Sequence, residues 1–221
     1  MLERLREEVL EATLELVRQG LVLFTFGNVS GTARAEHLVV TDLEGNIVEG
    51  KMRPSSDLPT NLVLYKQFAE IAGVAHTHSE YATAWAQARK PIPCFGTTHA
   101  DYFHGPVPVT SAMTAHEIAA DYERNTGHAI VHRLQQTTAS ATPGVLVANH
   151  GPFAWGADAA AATHNAAILD AIARRAYFTL GIHSAAQPVG NALHDKHDLR
   201  KQGENAYYGQ ARDTHKDKDN Q

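Results

Sequence analysis

The chain has 221 residues, 43% of them hydrophobic, and a formal net charge of −5. That suits one soluble globular domain with a full core, and without a Lys/Arg run it speaks against a nucleic-acid partner. A single cysteine, Cys94, excludes an intrachain disulfide and fits a reducing compartment. The first residues are charged without a signal-peptide apolar core, and no apolar run approaches a membrane span. A cytoplasmic protein with no membrane partner is expected.

Leu2, Leu5, Val9, Ala12 and Leu16 recur at three- and four-residue steps, which predicts an amphipathic helix over 2–19 with Gly20 as its stop. Leu21-Val22-Leu23-Phe24-Thr25 reads as a buried strand, ending at the turn Phe26-Gly27-Asn28-Val29-Ser30. A hairpin is expected from 37–41 to 46–48 across Glu44-Gly45. Pro54-Ser55-Ser56-Asp57 precedes a helix over 60–68. A small, apolar strand then runs into His76-Thr77-His78, and Ser79 caps a helix carrying Tyr81, Trp85 and Ala88 on one face. Residues 91–108, rich in Pro, Gly and Thr, read as short strands and loops.

Thr114 to Glu117 form a capping-box pattern that opens a helix ending near Gly127. Gly144-Val145-Leu146-Val147-Ala148-Asn149-His150-Gly151 reads as a second buried strand with a ligand at its end. An Ala-rich helix over 158–180 and a basic helix over 193–202 follow, and residues 211–221 read as a disordered polar tail. Strands and helices interleave without a barrel repeat, a Rossmann fingerprint or a P-loop. That predicts one α/β domain over 1–210, its sheet sandwiched by helices.

Fourteen histidines are a heavy load for such a domain. His76 and His78, at i and i+2 of a strand, share a face and make half of a metal site. Alone, such a pair is more often hydrogen-bonded in a core. Its company changes that: His150 before Gly151-Pro152, the carboxylate of Asp57, and the cluster Thr97-Thr98-His99-Ala100-Asp101. Together they read as a metalloenzyme.

Gly27-Asn28-Val29-Ser30, Pro54-Ser55-Ser56-Asp57, His76-Thr77-His78, Gly96-Thr97-Thr98-His99-Ala100-Asp101-Tyr102, His150-Gly151-Pro152-Phe153-Ala154-Trp155-Gly156, and Asp195-Lys196-His197 on to Tyr207-Tyr208-Gly209-Gln210 closely resemble L-ribulose-5-phosphate 4-epimerases. Those enzymes belong to the class II aldolase and adducin superfamily. The resemblance implies a three-layer domain with a central mixed, largely antiparallel sheet. It also implies a homotetramer holding one zinc ion per subunit, with manganese or another divalent ion as the alternative, and a small sugar phosphate as substrate. Inverting a carbinol carbon without an acidic proton requires a retro-aldol cut, rotation of the aldehyde and readdition to its other face. A divalent cation suits the enediolate this leaves.

By the same resemblance, His76, His78, His150 and Asp57 hold the metal, and Asp101 and Tyr208 serve the two faces of the aldehyde. Tyr208 arrives from a neighbouring subunit, with His197 assisting on its side. Gly27, Asn28, Ser55 and Ser56 match the phosphate and substrate cleft, while Thr97 and Glu123 are substrate-side or structural. One departure stands out. Relatives carry a further loop ending in Lys-Pro-Ser-Gly between the first two motifs, whereas only Gly31 to Arg53 separates them here. Either the phosphate cleft is truncated, or the sequence as given omits the residues of a mobile loop that substrate orders, and the second is expected. Rival readings are a fuculose- or rhamnulose-phosphate type aldolase, usually with glutamate where Asp57 stands, and a metal-free adducin-like interaction module.

Overall fold

The computed structural model describes residues 2–22, 34–135, 139 and 141–202. Its centre is a three-stranded antiparallel sheet of β3 (Gly73–His76), β5 (Pro152–Gly156) and β4 (Gly144–Leu146), with β5 in the middle. Gly73 pairs with Gly156 and His76 with Phe153 on one side of β5, and Leu146 pairs with Pro152 on the other. A parallel bridge from Val109 to Leu146 and an antiparallel one from Ile92 to Val107 extend it, so the pairing is mixed but mostly antiparallel. A separate hairpin joins β1 (Val40–Thr41) to β2 (Ile47–Glu49). Asp42 closes its turn by accepting from the backbone N–H groups of Glu44 and Asn46, and Gly45 supplies the positive φ of 90°.

Side-chain alternation sorts the sheet into two faces. Ala75 and Ala154 point toward α1 (Leu2–Arg18) and α6 (Ala159–Ile182), packing with Leu16, Ala162 and Ala166. Phe153, Trp155 and Val145 point the other way, against Leu64 of α2 (Leu58–Gln67) and Ile130 and Leu134 of α5 (Ala115–Leu134). Helix, sheet, helix: the three layers follow from period-two alternation. On β3 and β5 the small residues Ala75 and Ala154 face α6, whereas Phe153 and Trp155 face α2 and α5. Each fully buried aromatic on the second face contributes about 2–3 kcal/mol. A third cluster packs α3 (Glu80–Ala88) on α6 through Ala82, Ala86, Leu169 and Ile172. The short α4 (Thr97–Ala100) and the C-terminal α7 (Asn191–Gln202) lie together.

Several elements differ from the sequence reading. The strand expected over 21–25 falls largely outside the described residues. Helix α5 continues to Leu134 because Gly127 does not stop it; a Cβ there would meet Val63 Cβ at 2.7 Å, so this glycine lets α2 and α5 approach closely. The second strand ends at Leu146, and residues 147–151 instead form a tight turn in which Val147 N donates to Gly151 O at 2.9 Å. Asn149 takes a φ of 63° there, a conformation asparagine tolerates better than most residues. Ser79 does sit at the start of α3, yet its hydroxyl is buried and makes no hydrogen bond. Asp170 of α6 does the capping, accepting from Tyr81 N at 3.1 Å and Ala82 N at 3.0 Å.

Gly73 marks the tightest seam. A Cβ at this position would overlap the carbonyl of Asp158, whose side chain caps α6 by accepting from Ala161 N. Gly73→Ala is therefore expected to push α6 off β3 and to lose about 3 kcal/mol, the upper end for overpacking. Urea unfolding measures this, and a midpoint equal to wild type would show that the seam yields.

Candidate metal centre and active site

Three histidines converge where β3 and β5 end side by side. His76 closes β3, His78 follows two residues later, and His150 stands in the turn before β5. One nitrogen from each lies within 4.8 Å of the others. Nε2 of His76 and Nε2 of His78 are 3.1 Å apart, and the His150 ring centroid is 4.7 and 5.0 Å from theirs. Gly151 keeps the turn close, since a Cβ there would meet Thr77 O at 2.9 Å.

The protonation of this cluster can be read from its partners. His76 Nδ1 lies 2.9 Å from the Pro152 carbonyl, which can only accept, so Nδ1 carries the proton and Nε2 the lone pair. The same ring stacks on Phe153 at 4.1 Å and is 8% exposed. Burial, then the nearby His150 ring, push the His76 imidazole down to about 3. Burial and His78 push His150 down to about 4. Both rings are therefore neutral near pH 7, the form in which imidazole binds a metal. Three imidazoles around one point, those of His76 and His150 neutral, fit zinc or a similar divalent ion, and His76 has the carbonyl-anchored Nδ1 typical of metal ligands.

Asp57 stands at the N-terminus of α2 and makes no capping bond with its side chain. It is outside the 4.8 Å grouping, but its charge acts on Tyr122, whose hydroxyl lies 3.3 Å from His150 Nδ1. Ser55 Oγ accepts from Asp57 N at 3.1 Å and shapes the turn, while Ser56 is exposed. Glu123 accepts from the Thr60 hydroxyl through its backbone carbonyl, which ties α5 to α2. Gly27, Asn28 and Tyr208 lie outside the described residues.

A second polar cluster hangs on different elements. Asp101, at the end of α4, is 6% exposed. Arg200 of α7 grips it bidentately at 2.8 and 2.7 Å, and His197 Nδ1 lies 3.0 Å from the same carboxylate. Burial works against the charge, but the hydrogen bonds and charges of Arg200 and His197 outweigh it, holding the carboxyl below its ordinary range. Asp101 is thus an ionised acceptor near neutral pH. The sequence reading sets His197 on the flank opposite Asp101, arriving from a neighbour; here the two are partners within one chain. Thr97 opens α4 and lines a small cleft of about 230 Å³ with Arg175 and Thr179.

Two residues of these clusters went unremarked in the sequence. Arg200 was legible in principle, because it lies three residues after His197 and so on the same helical face. Tyr122 was not, because its direction is set by a break in α5 at Asp121. A further grouping of His104, His194 and Asp195 also has metal-like spacing. It is poorly suited to an ion, because His194 Nε2 already accepts from Gly105 N at 2.9 Å and its Nδ1 then holds the proton.

An α/β sandwich thus carries, at the β3–β5 seam, a group of three histidines with the spacing to hold a metal ion. Residues 31–177 match the class II aldolase and adducin N-terminal domain, and the chain belongs to that family. An L-ribulose-5-phosphate 4-epimerase, UlaF, of Salmonella paratyphi B is 45% identical over 227 residues, spanning 95% of this chain and all of that protein. The Salmonella typhi protein of the same name is 44% identical over the same shares. Among solved structures, an L-fuculose 1-phosphate aldolase superposes with a TM-score of 0.72 at 21% identity, covering 89% of this chain and 95% of its own. YgbL of Klebsiella pneumoniae, described as a putative aldolase/epimerase/decarboxylase, gives 0.70 at 24%, covering 89% and 98%. These two share the fold.

The 227-residue alignment is longer than this 221-residue chain, so it opens gaps on this chain's side. The sequence runs unbroken from Gly31 to Arg53, and residues 34–53 carry the β1–β2 hairpin. The expected missing loop is therefore not a stretch lost from view; the spacing of the two motifs is this chain's own. Among the described residues no helix is long and apolar enough to cross a membrane.

Proposed function

We propose that this protein is a cytoplasmic, zinc-dependent epimerase that interconverts L-ribulose 5-phosphate and D-xylulose 5-phosphate by retro-aldol cleavage and readdition. The observation that carries the reading is the triad of His76, His78 and His150, with His76 and His150 held neutral, in a chain 45% identical to an epimerase. A bound divalent ion supplies electrostatic stabilisation for the negative charge released when the bond between the third and fourth carbons breaks.

The chain's own residues supply the rest. A carboxylate held ionised by Arg200 and His197 can take the proton of the fourth-carbon hydroxyl as the carbon–carbon bond breaks, and this role falls to Asp101. The electron pair of that bond stays with the three-carbon fragment, and the aldehyde carries the phosphate away from it. After the aldehyde turns, readdition needs a proton donor on its opposite side, a role suited to the phenol of Tyr208. In this reading the site is shared in a homotetramer, with Tyr208 contributed by a neighbouring subunit. Ser55 and Ser56, with Gly27 and Asn28, form the phosphate end of the cleft in this reading.

The test is to incubate the zinc-loaded protein with L-ribulose 5-phosphate and resolve the products by stereochemistry. D-xylulose 5-phosphate without free aldehyde is expected. Accumulation of glycolaldehyde phosphate and a three-carbon product would make the protein an aldolase instead, and no turnover would leave a metal-binding module.

A further inference from the structure

Helix α5 does not run straight past the histidine triad. Asp121 leaves helical geometry inside it, at φ −163° and ψ 84°. The break is built rather than frayed. The Asp121 carboxylate accepts from Arg124 N at 3.2 Å and Arg124 Nε at 2.9 Å, restarting the helix as an N-cap does. Asn125 Nδ2 donates across the break to Glu117 O at 2.7 Å. The next residue after the break is Tyr122, and its hydroxyl lies on Nδ1 of His150 at 3.3 Å.

We propose that Tyr122 is a positioning residue of the metal centre: its phenol oxygen accepts a hydrogen bond from His150 Nδ1–H and so presents Nε2 of His150 as the ligand atom. The inference rests on the metal-centre reading given above. His76 sets the pattern, because its Nδ1–H is anchored on the Pro152 carbonyl and its lone pair is at Nε2. A carbonyl can only accept, whereas a phenol can also donate, and donation to Nδ1 would put the proton on the wrong nitrogen. The geometry of the triad resolves the ambiguity. Tyr122 occupies Nδ1 of His150, so the nitrogen left for an ion is Nε2. A ligating imidazole gives its lone pair from that nitrogen and keeps its one proton on the other, where the phenol oxygen accepts it. Anchors of this kind are typically worth 10- to 100-fold in metal affinity.

Tyr122→Phe removes the oxygen and keeps the ring. Metal-free wild type and variant are titrated with zinc against a chromophoric chelator at neutral pH, and the zinc dissociation constant is expected to rise roughly 10- to 100-fold. A second readout needs no metal: long-range ¹⁵N spectra of the apo-protein, with His150 assigned through His150→Gln. They are expected to show an Nδ1–H tautomer in wild type and a tautomer mixture in Tyr122→Phe, which a packing role for the ring would not produce. Unchanged affinity, or an Nε2–H tautomer in wild type, overturns the proposal alone. Wild type that binds no zinc, or binds it equally after His76→Ala, overturns the metal-centre reading and this proposal with it.

Discussion

His78→Ala is expected to lose its divalent ion and, with it, roughly 10³-fold or more of turnover, while the metal-free protein stays as stable as wild type. The ion's work on developing charge is worth several kcal/mol, and each 1.36 kcal/mol is about a factor of ten in rate. His78 lies beyond the last residue of β3, so its ring can go without opening the sheet. His76→Ala is expected to differ. It removes a buried ring stacked on Phe153 and leaves the Pro152 carbonyl without its best donor, so the metal-free protein should lose about 2–4 kcal/mol. Elemental analysis and urea unfolding of the two metal-free variants separate the roles. Retention of a stoichiometric ion by the double variant would remove the triad from consideration as the metal site.

The contrast between these two histidines shows what the sequence could and could not convey. The i, i+2 spacing announces a shared strand face, and the motif order brings His150 into the same frame. Which ring is anchored, and by what, depends on β3 pairing with β5, and β5 was read only as part of a motif. Its five residues open with proline and are buried on nearly every position, so they lack the alternation that marks a half-exposed strand. Tyr122 was invisible for a related reason. In a straight α5 its direction would follow from a 3.6-residue period, but the break at Asp121 resets the phase, and nothing in the spacing of apolar residues signals a break. The basic α7 was legible as a helix, whereas the target of its Arg200 was not, because Asp101 lies 99 residues earlier.

Arg200→Ala is expected to cost about 3 kcal/mol and to free α7 locally. The Asp101 side chain is 9% exposed and Arg200 20%, so removing the guanidinium strands a largely buried carboxylate with His197 alone. In wild type the folded carboxyl titrates below its ordinary range. The unfolded chain then binds a proton that the native state refuses, so stability is complete above the ordinary aspartate value and falls as acid drives the pH through the folded one. Without Arg200, burial acts with less opposition and the acid limb of the stability curve should move to higher pH. Urea midpoints across an acid pH series, with hydrogen exchange of the α7 amides, test both statements. Arg200→Lys should recover only part of the loss, since an ammonium cannot grip both oxygens at once. A variant with an unmoved acid limb and unchanged exchange would show that Arg200 contributes nothing to α7 docking.

Capping of α3 by Asp170 and anchoring of His76 by Pro152 have a bearing on how the chain acquires this centre. Those partners are 89 and 76 residues apart in sequence. Closing loops of that length is an entropic cost incurred before any contact forms, and topologies built on distant pairings fold slowly. His76 and His78 leave the ribosome well ahead of His150, with no neighbour to complete them, and the half-site stays weak until β5 slots between β3 and β4. An ion captured at the triad would therefore reward the last act of assembly rather than seed the first. It would slow the unfolding of a finished molecule more than it would hasten the making of one.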